Sequence, residues 1–239
     1  MSLRQFKVLT FDVVGTLIDF EGGMIAYIRK TSGLAPERLA DDRILESYRR
    51  IRAGSDRMRY PDTLVPVYRA MADELGLPTT AGLAEGFRDS IEGWPAFPDS
   101  VAALERLKAR YRLVAMTNAQ RWALTHMAKT LGDPFDDSVT VDDALCEKPD
   151  PKFFAFARGR LSVAGHRPGG IQLGDILHVA QSQYHDIGVA KSLGYKTCWI
   201  QRRKRLGGWG GSPVPAEVAE PDWHFATLAE LADAVEAAG

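Results

Sequence analysis

The sequence predicts an α/β fold: a doubly wound parallel sheet with a Rossmann-like core and an inserted helical cap. Short apolar runs rich in β-formers alternate with helical patterns, at 7–11, 112–116, 176–180 and 196–200. Such strands pair in parallel and are covered on both faces. The alternation stops between residues 20 and 92, where four helical patterns follow one another without a strand pattern. We therefore expect a core of residues 1–19 and 93–239 and a helical cap of residues 20–92.

The elements follow in order along the chain. The first run, KVLTF, leads directly into DVVGT, and helical patterns such as DDRILESYRRIRAGS make up the cap. The turn-rich WPAFPDS at 94–100 closes the cap, and VAALERLKARY resumes the core as a helix. The closing PDWHFATLAELADAVEAA predicts a short edge strand and a terminal amphipathic helix.

Two segments before that terminal helix are predicted to be surface. RLGGWGGSPVP at 205–215 has four glycines but lacks the preceding strand, the following helix and the lysine of a phosphate-binding loop, so a mobile surface loop is expected. A basic cluster is expected to be a solvated face, although a run after a strand's carboxyl end can touch an anionic substrate. It comprises Arg202, Arg203, Lys204 and Arg205.

The composition favours small-molecule chemistry. The chain has 239 residues, of which 45% are hydrophobic, and a net charge of −1 from 30 basic and 31 acidic side chains. This balance gives no electrostatic case for binding nucleic acid or a membrane surface, so a small anionic substrate is the expected partner. Because no signal peptide or transmembrane run is visible, we expect a cytoplasmic protein, monomer or homodimer. Cys146 and Cys198 are too few for a disulfide framework or a zinc site.

The candidate site residues stand just after the predicted strands. In an open parallel sheet, ligands bind outside the carboxyl ends of the strands. Four places there carry polar side chains: Asp12, Thr117 with Asn118, Lys148 in the turn CEKPDP, and residues 181–186.

Each of these residue types has a chemical use. Asp12 can attack an electrophilic centre and form an ester, which splits one hard displacement into two easier steps. Thr16 can hold one oxygen of that carboxylate, or serve only the turn. Lys148 can keep Asp12 ionised and neutralise substrate charge. Thr117 and Asn118 can offer hydroxyl, amide and backbone N–H donors to an anion, besides capping the following helix.

These four motifs, in this order, resemble the haloacid dehalogenase superfamily over essentially the whole chain. Two positions depart from the phosphatases of that superfamily. Val14 replaces the aspartate that protonates the leaving alcohol, and Gln181 replaces a magnesium-binding aspartate. The pair Gly174-Asp175 precedes its strand and is treated as a decoy. Both departures point away from phosphoryl transfer, and Mg²⁺ is expected only if the protein is a phosphatase after all.

The resemblance is closest to the 2-haloacid dehalogenases, because a halide leaves as a stable anion and needs no proton. It implies a covalent ester on Asp12, no cofactor, and contact of the substrate with Val13 and Val14. It also implies a cap arginine that takes the leaving group. Arg43 has about the expected separation from Asp12, and Arg49 and Arg50 lie close by.

Departures from the better-known dehalogenases keep a second reaction open. Phe154, Gln181 and Gln183 replace their tyrosine, serine and asparagine, and AQSQYHDIGVAK with WPAFPDS resembles a branch that includes an azetidine-2-carboxylate hydrolase. Hydrolysis of a C–halogen bond and of a C–N bond are therefore rival predictions. A magnesium-dependent phosphatase and a binding protein that has lost catalysis are the further alternatives.

The second half of the expected reaction needs a water. We expect Asp186, with Lys148 and Gln183, to hold the water that hydrolyses the ester on Asp12. His185 is an alternative base because its ordinary pKa suits neutral pH, although a histidine beside a helix start is more often structural.

Overall fold

A single parallel sheet organises the chain. The computed structural model describes residues 2–54, 58–163 and 170–238. Its strands lie in the order β3-β2-β1-β4-β5-β6, and every pair is parallel. They are β1 (Val8–Phe11), β2 (Arg112–Met116), β3 (Asp137–Val139), β4 (Ile176–Ala180), β5 (Lys196–Ile200) and β6 (Trp223–Phe225). The predicted α/β class is confirmed, and β3 is an edge strand that the apolar pattern did not indicate.

The helices alternate with the strands except in one long insertion. Four lie between β1 and β2 before the core resumes: α1 (Phe20–Ser32), α2 (Asp41–Arg52), α3 (Leu64–Leu75) and α4 (Leu83–Asp89). The others are α5 (Ser100–Lys108), α6 (Arg121–Thr130), α7 (Val141–Ala144), α8 (Pro151–Val163), α9 (Gly188–Ser192) and α10 (Leu228–Ala237). None of the described helices is long and apolar enough to cross a membrane.

The strand register brings the predicted site together. β1 is central, with β2 and β3 on one side and β4 to β6 on the other, so the chain changes direction beside β1. Phe11 pairs with Ala115 of β2 and Val179 of β4, and the N–H of Asp12 donates to the carbonyl of Val179 (3.1 Å). The residues that follow β1, β2 and β4 therefore emerge at one edge, at the switch point where ligands bind.

The inserted helices, which we call the cap segment (residues 20–92), have their own apolar contacts. The rings of Tyr27, Tyr68 and Phe87 pack with centroids 5.3–6.2 Å apart. Helix α1 is capped by Asp19, whose Oδ1 accepts from the N–H of Gly22 (3.0 Å). The ring of Trp94 lies so close to Gly23 that a β-carbon there would come within 2.3 Å of it. Packing at these points fixes the cap segment against the chain that returns to the core.

The prediction of a solvated loop at 205–215 is wrong for its centre. Residues 210–212 are buried. Gly211 donates its N–H to Oε1 of Glu21 in α1 (2.8 Å), and a side chain at Gly210 would collide with the same carboxylate. Arg202 is only 6% exposed and pairs with Asp99 (2.7 Å), whereas Lys204 and Arg205 are exposed as expected. Glycine allows the backbone to approach α1 closely, which a composition-based prediction does not detect.

Candidate active site

A tight turn after β1 orients the carboxylate of Asp12. The carbonyl of Val13 accepts from the N–H of Leu17 (2.9 Å), and Gly15 adopts a positive φ of 90°. The turn brings Thr16 back so that its hydroxyl donates to Oδ2 of Asp12 (2.6 Å). The same hydroxyl accepts from the N–H of Gln181 (2.8 Å). Thr16 therefore joins the ends of β1 and β4 and fixes one oxygen of the predicted nucleophile.

Lys148 lies at the centre of the site with its ammonium fully used. Nζ donates to Oδ1 of Asp12 (3.0 Å), to Oδ1 of Asp186 (2.6 Å) and to the carbonyl of Met116 (2.8 Å). Its side chain is 1% exposed. An ammonium has three N–H donors, so each has one acceptor. Two carboxylates thus share one buried cation.

Asn118 holds the backbone of Lys148 in place. Its Nδ2 donates to the carbonyl of Lys148 (2.9 Å), and its Oδ1 accepts from the Lys148 N–H (2.7 Å). Asn118 also lines the cavity described below. The sequence predicted a contact with the substrate and a helix cap but not this pairing, because the fold alone brings together two residues 30 positions apart.

The two carboxylates differ in their protonation. Burial favours the neutral acid at Asp186, but Lys148 and His178 outweigh it and lower the pKa of Asp186 to about 2. Burial and the neighbouring charge of Asp186 raise the pKa of Asp12, against the effect of Lys148. For Lys148 itself, burial is outweighed by both carboxylates, and its pKa is raised. The lysine is therefore charged, and Asp186 is the carboxylate more firmly held as an anion.

Asp186 stands on a single π turn (Gln183–Ile187) that follows β4. The hydroxyl of Ser182 accepts from the N–H of His185 (2.9 Å) and begins that turn. Oδ1 of Asp186 accepts from Lys148 and from His178 Nε2 (3.0 Å), whereas Oδ2 has no hydrogen-bond partner in the described part of the chain. One oxygen is thus fixed and the other is available.

His178 is a site residue that sequence analysis missed. It is the third residue of β4, fully buried, and its Nδ1 lies 2.9 Å from the hydroxyl of Thr10, its partner in the β1–β4 register. The signal was present as one polar residue within the apolar run ILHVA. A buried polar side chain needs hydrogen-bond partners, and the register of β1 supplies one of them.

A cavity of about 950 Å³ lies between the cap segment and these residues. Core residues that border it include Asp12, Val14, Thr117, Asn118, Lys148, Gln181, His185 and Asp186, and the cap segment contributes Tyr48, Arg49, Arg52 and Tyr60. Four partly exposed apolar side chains also border it, and we call them the apolar rim: Met58, Leu145, Tyr184 and Val214. The cavity is of the size that takes a small organic ligand.

Three residues that were predicted to contact the substrate or the hydrolytic water do not border this cavity. Val13 is fully buried and Gln183 faces away, since its amide bonds both backbone groups of Ala219 (3.1 and 3.3 Å). Arg43 is 53% exposed and pairs with Glu46 (3.6 Å) and Glu74 (3.1 Å). None of these three residues borders the cavity in the described structure, so their contact with the substrate stays a prediction that this geometry does not support.

Arg49 lines the cavity where Arg43 was expected. Its Nη1 donates to the carbonyl of Gly210 (2.5 Å), and it forms no ion pair with a carboxylate among the described residues. The other cavity-lining arginines are neutralised, by Glu74 for Arg50, Glu147 for Arg52 and Asp142 for Arg59. Among the described cavity-lining arginines of the cap segment, Arg49 is the one without a carboxylate partner.

Two further expectations concern the ends of β4. Asp175 lies before β4, at the edge of the sheet opposite Asp12, and pairs with Lys7 (2.9 Å); its interpretation as a decoy is supported. His185 lines the cavity, but burial lowers its pKa to about 4, so its ring is neutral near pH 7.

A family comparison decides the class of protein. The model of the haloacid dehalogenase-like hydrolases matches residues 6–194. The chain belongs to the haloacid dehalogenase-like hydrolases. This hydrolase is 29% identical to (S)-2-haloacid dehalogenase 1 of Pseudomonas sp. strain CBS-3 over 209 residues, which are 84% of this chain and 86% of that protein. The resemblance inferred from the strand-end motifs is confirmed.

Solved structures agree with this hydrolase in fold. An L-2-haloacid dehalogenase, 25% identical, superimposes with a TM-score of 0.74 over 97% of this chain and 99% of the other. The L-2-haloacid dehalogenase of Xanthobacter autotrophicus, 21% identical, has the same fold with a TM-score of 0.72 over 97% and 99% of the two chains.

The residues of this hydrolase do not fit the magnesium ion of the superfamily's phosphatases. The amide oxygen of Gln181, at the usual ligand position, accepts from the hydroxyl of Ser212 (3.1 Å). The negative charges of Asp12 and Asp186 are already directed at Lys148. In the described residues, no three His, Cys, Asp or Glu side chains are grouped to hold a metal. Mg²⁺ is usually held by one or two carboxylates together with water, and here the buried ammonium of Lys148 already compensates both carboxylates while the third position is a neutral amide.

Proposed function

We propose that this hydrolase displaces a halide from carbon 2 of a small 2-haloacid and releases the 2-hydroxy acid. The observation that carries the proposal is the arrangement of Asp12, Lys148 and Asp186 beside Val14. A carboxylate nucleophile is held ready by a buried ammonium, but the residue two positions later has no proton for a leaving group. Such a site suits a leaving group that departs as an anion.

In the first step, a carboxylate oxygen of Asp12 attacks carbon 2 and forms a C–O bond. The carbon–halogen bond breaks, and the halide leaves with the electron pair. Thr16 and Lys148 each hold one oxygen of Asp12, which fixes the approach of the nucleophile. The product of this step is an ester between Asp12 and the substrate.

In the second step, water attacks the carbonyl carbon of that ester. The bond from this carbon to the substrate oxygen breaks, one proton of the water ends on the released 2-hydroxyl group, and the other leaves the site. We propose that Oδ2 of Asp186 holds this water, because Oδ1 is already bonded by Lys148 and His178. Asp12 returns as a carboxylate.

Arg49 is proposed to receive the departing halide, in place of Arg43. It lines the cavity and has no carboxylate partner among the described residues, so its charge is available to an anion. Thr117 and Asn118 border the same cavity and are proposed to bind the substrate carboxylate. An uncompensated arginine favours a halide over the ammonium group of azetidine-2-carboxylate, which ranks the ring-opening reaction second.

Three measurements test this proposal. The first measurement offers the enzyme three kinds of substrate, with and without chelator: the two enantiomers of 2-chloropropionate, azetidine-2-carboxylate and p-nitrophenyl phosphate. We expect halide release from 2-chloropropionate, at a rate that the chelator does not change. In a single turnover in H₂¹⁸O with excess enzyme, the label is expected in Asp12 and not in the product. We expect Asp12→Asn to abolish turnover. The matched control is Asp175→Asn, which lies outside the cavity and should turn over like the wild type. Phosphate release that depends on magnesium, or label passing directly into product, would refute the proposal.

A further inference from the structure

His178 connects the buried strand pair to the carboxylate proposed to hold the hydrolytic water. Its Nε2 lies 3.0 Å from Oδ1 of Asp186, and its Nδ1 lies 2.9 Å from the hydroxyl of Thr10. We propose that His178 is a positioning residue that acts selectively on ester hydrolysis, by fixing which oxygen of Asp186 faces the water. This inference rests on the proposed function.

The ring of His178 has one orientation available to it. It is fully buried and packs edge-on against Phe154 and Tyr195, with centroids 5.5 and 6.5 Å away. Thr10 and Asp186 take its two nitrogens, so both polar atoms are satisfied inside the protein. Neither nitrogen is directed at the cavity, and the ring is not itself a candidate base.

The chemistry of the two partners assigns the donor. An ionised carboxylate can only accept a hydrogen bond, so Nε2 carries the proton that points to Asp186. The hydroxyl of Thr10 can donate to an unprotonated Nδ1 or accept from a protonated one. The donation from His178 to Asp186 is therefore the same in both charge states of the ring.

This donation matters most after the ester has formed. Lys148 is shared by two carboxylates in the free enzyme, but Asp12 loses its charge when it becomes an ester. Asp186 then depends on Lys148 and His178 together to keep Oδ1 engaged and Oδ2 available. Without His178, one donor remains, and the carboxylate can turn about its Cβ–Cγ bond. Displacement uses Asp12, Thr16 and Lys148, and in the described part of the chain His178 is hydrogen-bonded to Thr10 and Asp186 instead.

The test separates the two chemical steps in one reaction. In a single turnover of a 2-haloacid, halide release reports displacement and 2-hydroxy acid formation reports hydrolysis. We expect His178→Leu to slow 2-hydroxy acid formation about 10- to 100-fold, because the variant loses a hydrogen bond to a charged group. Halide release should be unchanged. The ester then accumulates and is seen by intact-mass measurement. His178→Gln, whose amide can still donate, restores most of the hydrolysis rate.

Tyr195→Phe is the matched control, because it alters the packing around the ring and removes no bond to Asp186; both rates should stay at the wild-type level. If His178→Leu fails to fold, Thr10→Val tests the same connection and should slow only hydrolysis. Equal loss of both rates, or no loss of either, overturns the inference. If the wild type releases no halide from any 2-haloacid, the proposed function fails, and this failure is separate from that of the inference. The hydrogen bond from His178 to Asp186 is then tested by ¹⁵N-histidine NMR. We expect a proton on Nε2 of His178, and an unprotonated Nε2 overturns the inference.

Discussion

The ammonium of Lys148 lies 2.6 Å from Oδ1 of Asp186, and both side chains are at most 1% exposed. Since Asp12 depends on the same ammonium, removing it leaves two carboxylates buried side by side without a cation. We expect Lys148→Met to abolish turnover and to lower the free energy of unfolding by about 3–5 kcal/mol.

Urea denaturation measures this effect, and Lys7→Met is the matched control, because Lys7 forms a solvent-exposed ion pair with Asp175. That variant should unfold like the wild type. A Lys148→Met protein as stable as the Lys7→Met protein would mean that the two carboxylates do not depend on the lysine.

The pKa of Asp186 predicts a loss of stability in acid. An unfolded aspartate protonates near its ordinary pKa of 3.8, whereas the folded Asp186 stays ionised down to about 2. Between these values the unfolded state binds more protons, so stability falls as the pH falls through this window. The contribution is about 2 kcal/mol, fully present above about pH 5. Urea midpoints from pH 5 to 2 should fall less for Asp186→Asn than for the wild type; parallel curves would contradict this pKa.

Two arginines of helix α2 provide a matched pair. Arg49→Gln removes the cation that faces the cavity and should lower kcat/KM for 2-haloacids about 10- to 100-fold. Arg43→Gln removes only surface ion pairs and should leave kcat/KM unchanged. Steady-state halide release measures both. If Arg43→Gln is the damaging variant, the cap segment contacts the substrate in an arrangement different from the one described.

The apolar rim predicts a preference for longer substrates. Leu145 is 71% exposed and has the left-handed φ of 59°, a conformation uncommon for leucine, and Val214 is 55% exposed. Extending a 2-bromo acid from three carbons to eight should raise kcat/KM by up to about fourfold per methylene that the rim covers. Leu145→Ser and Val214→Ser should flatten this dependence. A steady fall of kcat/KM with chain length in the wild type would exclude the predicted preference for longer substrates.

The sequence predicts best what local patterns determine. Strands and the residues just after them follow from apolar runs and turns, so Asp12, Lys148 and Asp186 could be placed at one edge before any coordinates. Which residues of a surface helix face the core depends on its packing partners. Arg43 and Arg49 are six positions apart on α2, and at 3.6 residues per turn they point in different directions. The sequence alone does not show which of these two side chains points into the cavity.

The other misses have the same cause. The direction of Gln183 is set by the two backbone groups of Ala219, 36 residues further along the chain, which bond its side-chain amide. His178 needed the register with β1, because only that register shows a partner for a polar side chain within an apolar strand. In both places the deciding contact joins parts of the chain far apart in sequence.

The buried segment at residues 210–212 connects three parts of the molecule. The carbonyl of Gly210 accepts from Arg49 and the N–H of Gly211 donates to Glu21, both in the cap segment, while Ser212 donates to Gln181 at the end of β4. These three hydrogen bonds connect the cap segment to the sheet. Any movement of the cap segment away from the sheet would have to break these three hydrogen bonds, so residues 210–212 link such a movement to the end of β4 without taking part in the chemistry.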